Sequence, residues 1–166
     1  MRRKTVVSLL IILLIILPIV LPIIIALVFA GRSGSPPAPP AIERVTYIIF
    51  SGGMYEPGMV VERRTTVYLS GEVVTIERTN YTSEERFDNV GEDRARAFIN
   101  SFYENNFFSW PDDLSSAEIV AGGGGSQFFE VYAGGRIYRR GGELPSDPKF
   151  RNCVGAYLRY ILGRGQ

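Results

Sequence analysis

Residues 127–140 read QFFEVYAGGRIYRR, a stretch with a strong signal for a β-hairpin. Aromatic and β-branched residues flank Gly134-Gly135, a dipeptide typical of a two-residue turn because glycine adopts positive φ without strain. A turn at this point places Glu130 opposite Arg139, an opposite-charge pair of the kind that stabilises neighbouring strands. The stretch therefore predicts an antiparallel hairpin with the strands Gln127–Ala133 and Arg136–Arg140.

A second hairpin is predicted earlier in the chain. Met59–Leu69 and Glu72–Thr79 alternate apolar and polar residues, and Ser70-Gly71 between them is a candidate two-residue turn. That turn would place Arg64 opposite Glu77. The β-branched and aromatic run Arg44–Phe50 predicts a first strand before this hairpin, and the polar segment Asn80–Val90 predicts a loop after it.

Two helices complete the predicted domain. Glu92-Asp93 places acids at the start of the first helix, and Asn105-Asn106 ends it. Asp147-Pro148 starts the second helix, with proline in the first turn, and Gly163 ends it. The apolar residues recur at helical spacing in both. They are Ala95, Phe98, Ile99 and Phe102 in the first helix, and Phe150, Val154, Tyr157, Leu158 and Ile161 in the second.

The order of these elements predicts an α+β domain. Two sequential hairpins and a first strand form an antiparallel β-sheet, and two helices separated by a hairpin pack on one face of it. The aromatic cluster from Phe107 to Pro111 is expected to plug the core where the first helix turns back onto the sheet. Gly122–Gly125 is expected to be a flexible loop.

The N-terminus carries a different signal. Arg2, Arg3 and Lys4 precede an uncharged run, Thr5–Ala30, which is long enough to span a bilayer as a helix. Because basic flanks stay in the cytoplasm, residues 1–30 are interpreted as a signal-anchor transmembrane helix with a cytoplasmic N-terminus. The lipid bilayer is thus a predicted partner, through residues 5–30. A cleaved signal peptide and a pilin leader are alternative interpretations.

A spacer is predicted between the anchor and the folded domain. Residues 31–42 are rich in Gly, Ser and Pro, a composition typical of an extended, semi-rigid linker. The remaining segment, 43–166, is predicted to be the domain outside the cytoplasm, in a single-pass protein of the cell membrane.

Composition narrows the possible functions. Three of the 18 basic residues precede the apolar run, so the remaining 15 are outnumbered by 17 acids, a net charge of −2 that gives no electrostatic case for nucleic acid. The chain has no histidine, the commonest general base and metal ligand, and we expect no catalytic residue, metal or cofactor. Its single cysteine, Cys153, is interpreted as a packing residue. Arginine-rich chains with little glutamine are typical of thermophiles and of GC-rich genomes.

Two loops are candidate sites. Ser51-Gly52-Gly53-Met54-Tyr55 is a candidate binding loop, because its glycines permit unusual backbone and Met54 and Tyr55 offer apolar contact. Asn80-Tyr81-Thr82 matches a glycosylation sequon, and makes Asn80 a possible modification site. Asp112-Asp113 with Glu118 is the alternative for a carboxylate-based enzyme.

The layout resembles the emfourins, small proteins that inhibit thermolysin-like metalloproteases. The resemblance covers roughly Val45–Leu162. It rests on four features: a first strand running into Ser51-Gly52-Gly53, a helix leading into Asn106–Pro111, a late hairpin with Tyr132 and Gly134-Gly135, and Gly142–Pro145 before a closing helix. The resemblance implies protease inhibition and an extracellular metalloprotease as partner.

The functional expectation is therefore a membrane-anchored, non-enzymatic binding domain, with protease inhibition as its specific form. A structural subunit of a membrane or cell-surface assembly is the alternative from another class, and a carboxylate-based enzyme is the third.

Overall fold

The structure is a computed structural model that describes residues 38–51, 59–115 and 125–164. The chain divides into two compact units, Met1–Ala38 and Pro39–Gln166, and the second contains the secondary structure described below. The predicted anchor at 1–30 and most of the predicted linker lie outside the described residues.

Within those residues, six strands form one antiparallel sheet in the order β4-β3-β2-β1-β5-β6. The domain is therefore of the predicted α+β class, with one strand more than the sequence indicated. The strands are β1 Ile42–Phe50, β2 Val60–Tyr68, β3 Glu72–Thr79, β4 Ser83–Asn89, β5 Ser126–Ala133 and β6 Arg136–Glu143.

Strand β1 lies at the centre of the sheet because both its faces can be buried. Val45 faces the main core and Ile48 faces the opposite side, and neither has any exposed surface. A strand with apolar residues on both faces reads as a continuous apolar run, whereas outer strands alternate. The neighbours of β1 are β2 and β5, both antiparallel to it.

Both helices pack on one face of the sheet, as predicted. Helix α1 (Glu92–Glu104) places Phe102 against Phe129 of β5, with ring centroids 5.0 Å apart. Helix α2 (Pro148–Ala156) places Phe150 against the same Phe129 ring, also at 5.0 Å. Aromatic packing of this kind contributes beyond its buried area.

The segment after α1 plugs the core, as its aromatic residues predicted. A 3-10 turn, Phe107–Ser109, buries Phe107 completely, and the Trp110 ring lies 5.1 Å from that of Phe107. The Trp110 indole N–H donates to the carbonyl of Asn105 at 2.8 Å. The buried indole is thereby satisfied, which fixes the path of the chain out of the helix.

The prediction that Asn80–Val90 is a loop is wrong, because this segment contains β4. Every residue of Ser83–Asn89 is exposed, so no apolar alternation marks this strand. Its pairing with β3 comes from backbone hydrogen bonds, and its charges form ion pairs such as Arg86 with Glu84 at 3.3 Å. An edge strand with few core contacts leaves almost no hydrophobic signal in the sequence.

The predicted register of the hairpin formed by β2 and β3 is wrong by one residue. Three residues, Leu69-Ser70-Gly71, form the turn instead of two, with Gly71 at φ +90°. Glu77 therefore lies opposite Arg63 and not Arg64. The turn is specified by Gly71, where a β-carbon would come within 2.5 Å of the Gly91 backbone.

The hairpin formed by β5 and β6 has the predicted register. Gly134 and Gly135 both have positive φ, and Glu130 pairs with Arg139 across the strands. The ion pair between these two side chains measures 3.4 Å. This turn was predictable because two consecutive glycines favour a two-residue hairpin turn.

Helix α2 begins at the predicted residue, and three of the five residues predicted for its buried stripe, Phe150, Tyr157 and Ile161, are buried. Asp147 Oδ1 accepts hydrogen bonds from the amides of Lys149 and Phe150, and thus caps the helix. The last turn, Tyr157–Ile161, is a π-helical turn. Leu158 is 37% exposed and not buried as predicted, because the wider turn shifts the residues that follow Ala156. Cys153 lies within the buried stripe.

Candidate functional site

The strands gather the chain's candidate sites at one end of the sheet. The end of β1 at Phe50 pairs with Glu62 and Ser126, and Val60 pairs with Thr79, so these five positions lie together. We call this the loop end: it comprises Ser51, Met59, the Asn80-Tyr81 turn and Gly125.

The chain enters the domain at the opposite end of β1. The Tyr103 hydroxyl accepts a hydrogen bond from the Ile42 amide at 2.7 Å and donates one to the Pro40 carbonyl at 3.0 Å. The turns at Leu69–Gly71 and Gly134-Gly135 belong to this entry end. Eight residue steps of β1 separate the two ends, about 26 Å at the usual rise of a strand.

The candidate binding loop starts from a fixed position. The Ser51 amide donates to the Val61 carbonyl at 3.1 Å, which ties the start of the loop to β2. The Phe50 ring, just before it, packs edge-on against Phe128 with centroids 6.1 Å apart. Gly52, Gly53, Met54 and Tyr55, the other predicted binding residues, lie outside the described residues.

The candidate glycosylation site forms the tight turn between β3 and β4. The Thr79 amide donates to the Thr82 carbonyl at 2.9 Å, and Asn80 and Tyr81 occupy the two turn positions. The Thr79 hydroxyl oxygen accepts from the Tyr81 and Thr82 amides. Asn80 is exposed and Tyr81 is 75% exposed, so the whole sequon faces solvent.

Strand β4 presents a free edge along the sheet. Hydrogen bonds from Thr79 to Thr82 and from Val90 to Gly71 fix the alternation, so Glu84, Arg86 and Asp88 bond to β3. The backbone groups of the intervening residues, among them Phe87, therefore point away from the sheet. No strand of the described residues pairs with this edge, and Phe87 is 68% exposed.

The other edge of the sheet is covered. Asp113 forms a parallel bridge with Gly141 of β6, and the Leu114 amide donates to the Gly141 carbonyl at 2.7 Å. Ser115 Oγ accepts from the Glu143 amide at 3.0 Å. The two edges of the sheet thus differ, because only β6 has its backbone groups occupied by another described segment.

The carboxylates of the alternative enzyme reading have structural contacts. Asp113 accepts hydrogen bonds from the amide and hydroxyl of Ser115, which lower the pKa of the Asp113 carboxyl. Asp112 forms an ion pair with Arg140. Glu118 lies outside the described residues, and within residues 38–51, 59–115 and 125–164 no three His, Cys, Asp or Glu side chains are placed to hold a metal.

A cleft lies on the helix-covered face, between β2–β4 and the π-helical turn Tyr157–Ile161. It encloses about 300 Å³. At its floor the Tyr157 hydroxyl donates to Thr65 Oγ1 at 3.1 Å, and burial raises the pKa of Tyr157. Its rim holds Arg63 and Arg86, both close to Glu77. The cleft can take a small polar ligand, but the arginines are already paired with acids.

Cys153 is a packing residue, as predicted. Its side chain is fully buried, and its thiol donates to the Ser101 carbonyl with sulfur and oxygen 3.7 Å apart. Burial raises the pKa of Cys153 to about 12, so the thiolate is not formed at neutral pH. A nucleophilic role is disfavoured on this ground.

Comparisons with known proteins give no relative: no family model and no curated protein match the chain. Among the residues that the structure describes, no helix has the length and apolar character needed to cross a membrane. The predicted membrane-spanning run, residues 5–30, lies outside them.

The sequence missed two features of the surface. The β4 edge was overlooked because all the residues of the strand are exposed and all except Phe87 are polar. The only available signal was the alternation of charge at Glu84, Arg86 and Asp88 after a compact polar turn. The cleft was missed because it depends on Tyr157 meeting Thr65, residues 92 positions apart in the chain.

Proposed function

We propose that this chain is a membrane-anchored binding protein whose extracytoplasmic domain acts without catalysis, through its loop end. The observation that carries the proposal is the separation of the two ends of β1. The chain enters beside Tyr103, while Ser51 and the Asn80-Tyr81 turn lie at the far end of the sheet. Loops held by a rigid sheet are common places for recognition.

The anchor and linker support this placement of the site. The apolar run at 5–30 and the Pro-rich segment at 31–42 join the domain at its entry end. The loop end is then the part of the sheet farthest from that junction.

The partner class we favour is an extracellular metalloprotease of the thermolysin-like kind. The support is the resemblance to the emfourins, together with the composition of the candidate loop. Gly52-Gly53 lets the backbone approach a partner closely, and Met54 and Tyr55 supply apolar contact area. Tyr81, exposed in the neighbouring turn, adds a second aromatic contact.

A structural subunit of a membrane or surface assembly is the second candidate. One observation favours it: no strand of the described residues pairs with the outer edge of β4, which also carries the exposed Phe87 ring. Such an edge is able to pair with another strand. A carboxylate enzyme is less well supported, since Asp112 and Asp113 are both engaged in contacts within the domain.

An inhibition assay tests the proposal. The full-length chain in detergent is titrated into a thermolysin-like metalloprotease that cleaves a fluorogenic peptide. We expect the wild-type chain to lower the cleavage rate in a saturable way, without being degraded. Unchanged protease activity at a large excess of the chain would contradict the inhibitor form, and turnover of a substrate by the chain itself would contradict the non-enzymatic reading.

A further inference from the structure

We propose that the free edge of β4 pairs with β4 of a second copy of this chain, in one antiparallel register that places Phe87 opposite Phe87 of the other copy. The two sheets would join into one sheet of twelve strands around a twofold axis. This inference does not depend on the proposed binding function, because it uses a different surface from the loop end.

The backbone of β4 is ready for such pairing. Ser83, Glu85, Phe87 and Asn89 direct their amides and carbonyls away from β3, as the alternation of the β3–β4 hydrogen bonds requires. When two outer edges pair, these four residues of one copy form hydrogen bonds with the same four residues of the other. Registers that would place them opposite Glu84, Arg86 or Asp88 are therefore excluded. Each register has a twofold axis and is self-complementary.

Charge selects one of these registers. With Phe87 opposite Phe87, Arg86 of each copy lies opposite Asp88 of the other, which gives two opposite-charge pairs. Glu85 then faces the neutral Asn89. No like charges lie directly opposite each other in this arrangement.

The neighbouring registers are each repulsive at a central pair. A shift in one direction brings Arg86 opposite Arg86 and Glu84 opposite Asp88. A shift in the other direction brings Asp88 opposite Asp88. The next two registers oppose Glu85 to Glu85 or Glu84 to Glu84. Charged residues on an edge strand usually prevent indiscriminate pairing. Among the registers that pair more than one residue of each β4, only the one with Phe87 opposite Phe87 is free of like-charge opposition.

The aromatic ring supplies the apolar contact. Phe87 is 68% exposed and lies opposite Val74 of β3, on the sheet face that the helices do not cover. In the proposed pair the two Phe87 rings are cross-strand neighbours and shield one another from water. The contact of Asp88 with Arg86 of the other copy competes with local contacts: the Asn89 amide donates to Asp88 Oδ1 at 2.7 Å, and Arg86 lies 3.3 Å from Glu84.

The consequence is a bivalent module. The twofold axis reverses the direction of the second β4, so the two loop ends lie at opposite ends of the joined sheet and neither is covered. A single strand pair buries less area than most stable interfaces, so the association is expected to be weak and concentration-dependent.

Disulfide cross-linking of the full-length chain in detergent tests the register. Phe87→Cys is expected to form a covalent dimer on mild oxidation, since residues that face each other in a hydrogen-bonded antiparallel pair have Cα atoms about 5.5 Å apart. Glu85→Cys is the matched control, because the two residues 85 would be displaced by about 13 Å along the strand. The native Cys153 is buried and does not interfere.

Charge reversal tests the same register independently. Arg86→Asp and Asp88→Arg are each introduced beside Phe87→Cys, and each should lower the initial rate of cross-linking by about tenfold, because both symmetric pairs become repulsive. The double reversal should restore the rate. Circular dichroism melting confirms that each variant is folded. Equal cross-linking at positions 85 and 87, no cross-linking at 87, or failure of the double reversal to restore it would overturn the proposal.

Discussion

Arg63 and Glu77 lie opposite each other on β2 and β3 and form an ion pair: Arg63 Nε donates to Glu77 Oε1 at 2.6 Å. The neighbouring Arg64 points to the other face, where it contacts Glu62 at 2.5 Å. The three-residue turn at Leu69–Gly71 produces this arrangement, because it moves every β3 residue by one position relative to a two-residue turn.

A double-mutant cycle measures this register in solution. Arg63→Ala and Glu77→Ala should show a coupling free energy of about 0.5 kcal/mol in the free energy of unfolding, a small value because the Arg63 side chain is partly exposed. The control cycle pairs Arg64→Ala with Glu77→Ala and should show almost no coupling. Urea denaturation provides both values, and coupling through Arg64 in place of Arg63 would show that the predicted two-residue turn is the true one.

The difference between the two hairpins explains how far the fold could be predicted. Gly134-Gly135 favours one turn type, so the register of β5 and β6 followed from the sequence. Ser70-Gly71 permits both a two-residue and a three-residue turn, and the choice depends on Gly71 approaching the Gly91 backbone, a contact between distant segments. Local chemistry determined the register of β5 and β6, and tertiary packing determined the register of β2 and β3.

The candidate site was less predictable than the fold. A glycosylation sequon and a glycine loop are visible as short motifs, but their position at one end of the sheet depends on strand order. Strand β4 carried no apolar alternation, since all its residues are exposed. Its free edge became apparent only from its pairing with β3.

Alkaline pH should destabilise the domain through Cys153. Burial raises the pKa of this thiol from its ordinary value of 9.0 to about 12, so the folded state holds its proton where the unfolded state has lost it. The stabilisation is complete below pH 9 and is lost as the pH rises through about 12. Burial also raises the pKa values of Tyr47 and Tyr157, which act in the same direction at higher pH.

The test compares wild type with Cys153→Ala in chemical denaturation between pH 8 and pH 11. The free energy of unfolding should fall less steeply with pH in the variant, while the tyrosine contribution remains in both proteins. Native wild-type protein should also resist thiol alkylation at pH 8. Alkylation at the rate of a free cysteine, without unfolding, would contradict the assignment of Cys153 as a buried packing residue.

Two glycines should respond to alanine in opposite directions. A β-carbon at Gly142 would lie 2.6 Å from the Ser115 backbone nitrogen and 2.4 Å from Ser115 Oγ, so Gly142→Ala must displace the segment that covers β6. We expect a loss of about 1–3 kcal/mol. Gly155 lies in helix α2 with open space around its Cα, so Gly155→Ala should stabilise by about 0.5–1 kcal/mol. Thermal melting of both variants gives the comparison, and equal effects would contradict the packing of Ser115 on β6.

Glycosylation reports which side of the membrane the domain occupies. When the full-length chain is produced in a host that glycosylates secreted proteins, Asn80 should carry a glycan, because its turn is exposed and the domain is expected outside the cytoplasm. The measurement is a mass shift that is removed by a glycosidase and absent in Asn80→Gln. A second variant carries an engineered sequon in the entry-end turn. A glycan at the engineered position but none at Asn80 would show that the Asn80 turn is inaccessible. Absence of glycan from both positions would contradict the predicted orientation.

Binding through the loop end is tested by measuring the affinity of two matched sets of variants for a thermolysin-like metalloprotease. One set removes apolar contacts at the loop end, with Met54→Ser, Tyr55→Ser and Tyr81→Ser. The other removes exposed apolar side chains near the entry end, with Leu69→Ser and Ile137→Ser, residues that are 40% and 63% exposed. We expect the loop-end set to weaken binding by tenfold or more and the entry-end set to leave the dissociation constant unchanged. Loss of binding in the entry-end set alone, or equal affinity for both sets and the wild type, would contradict binding through the loop end.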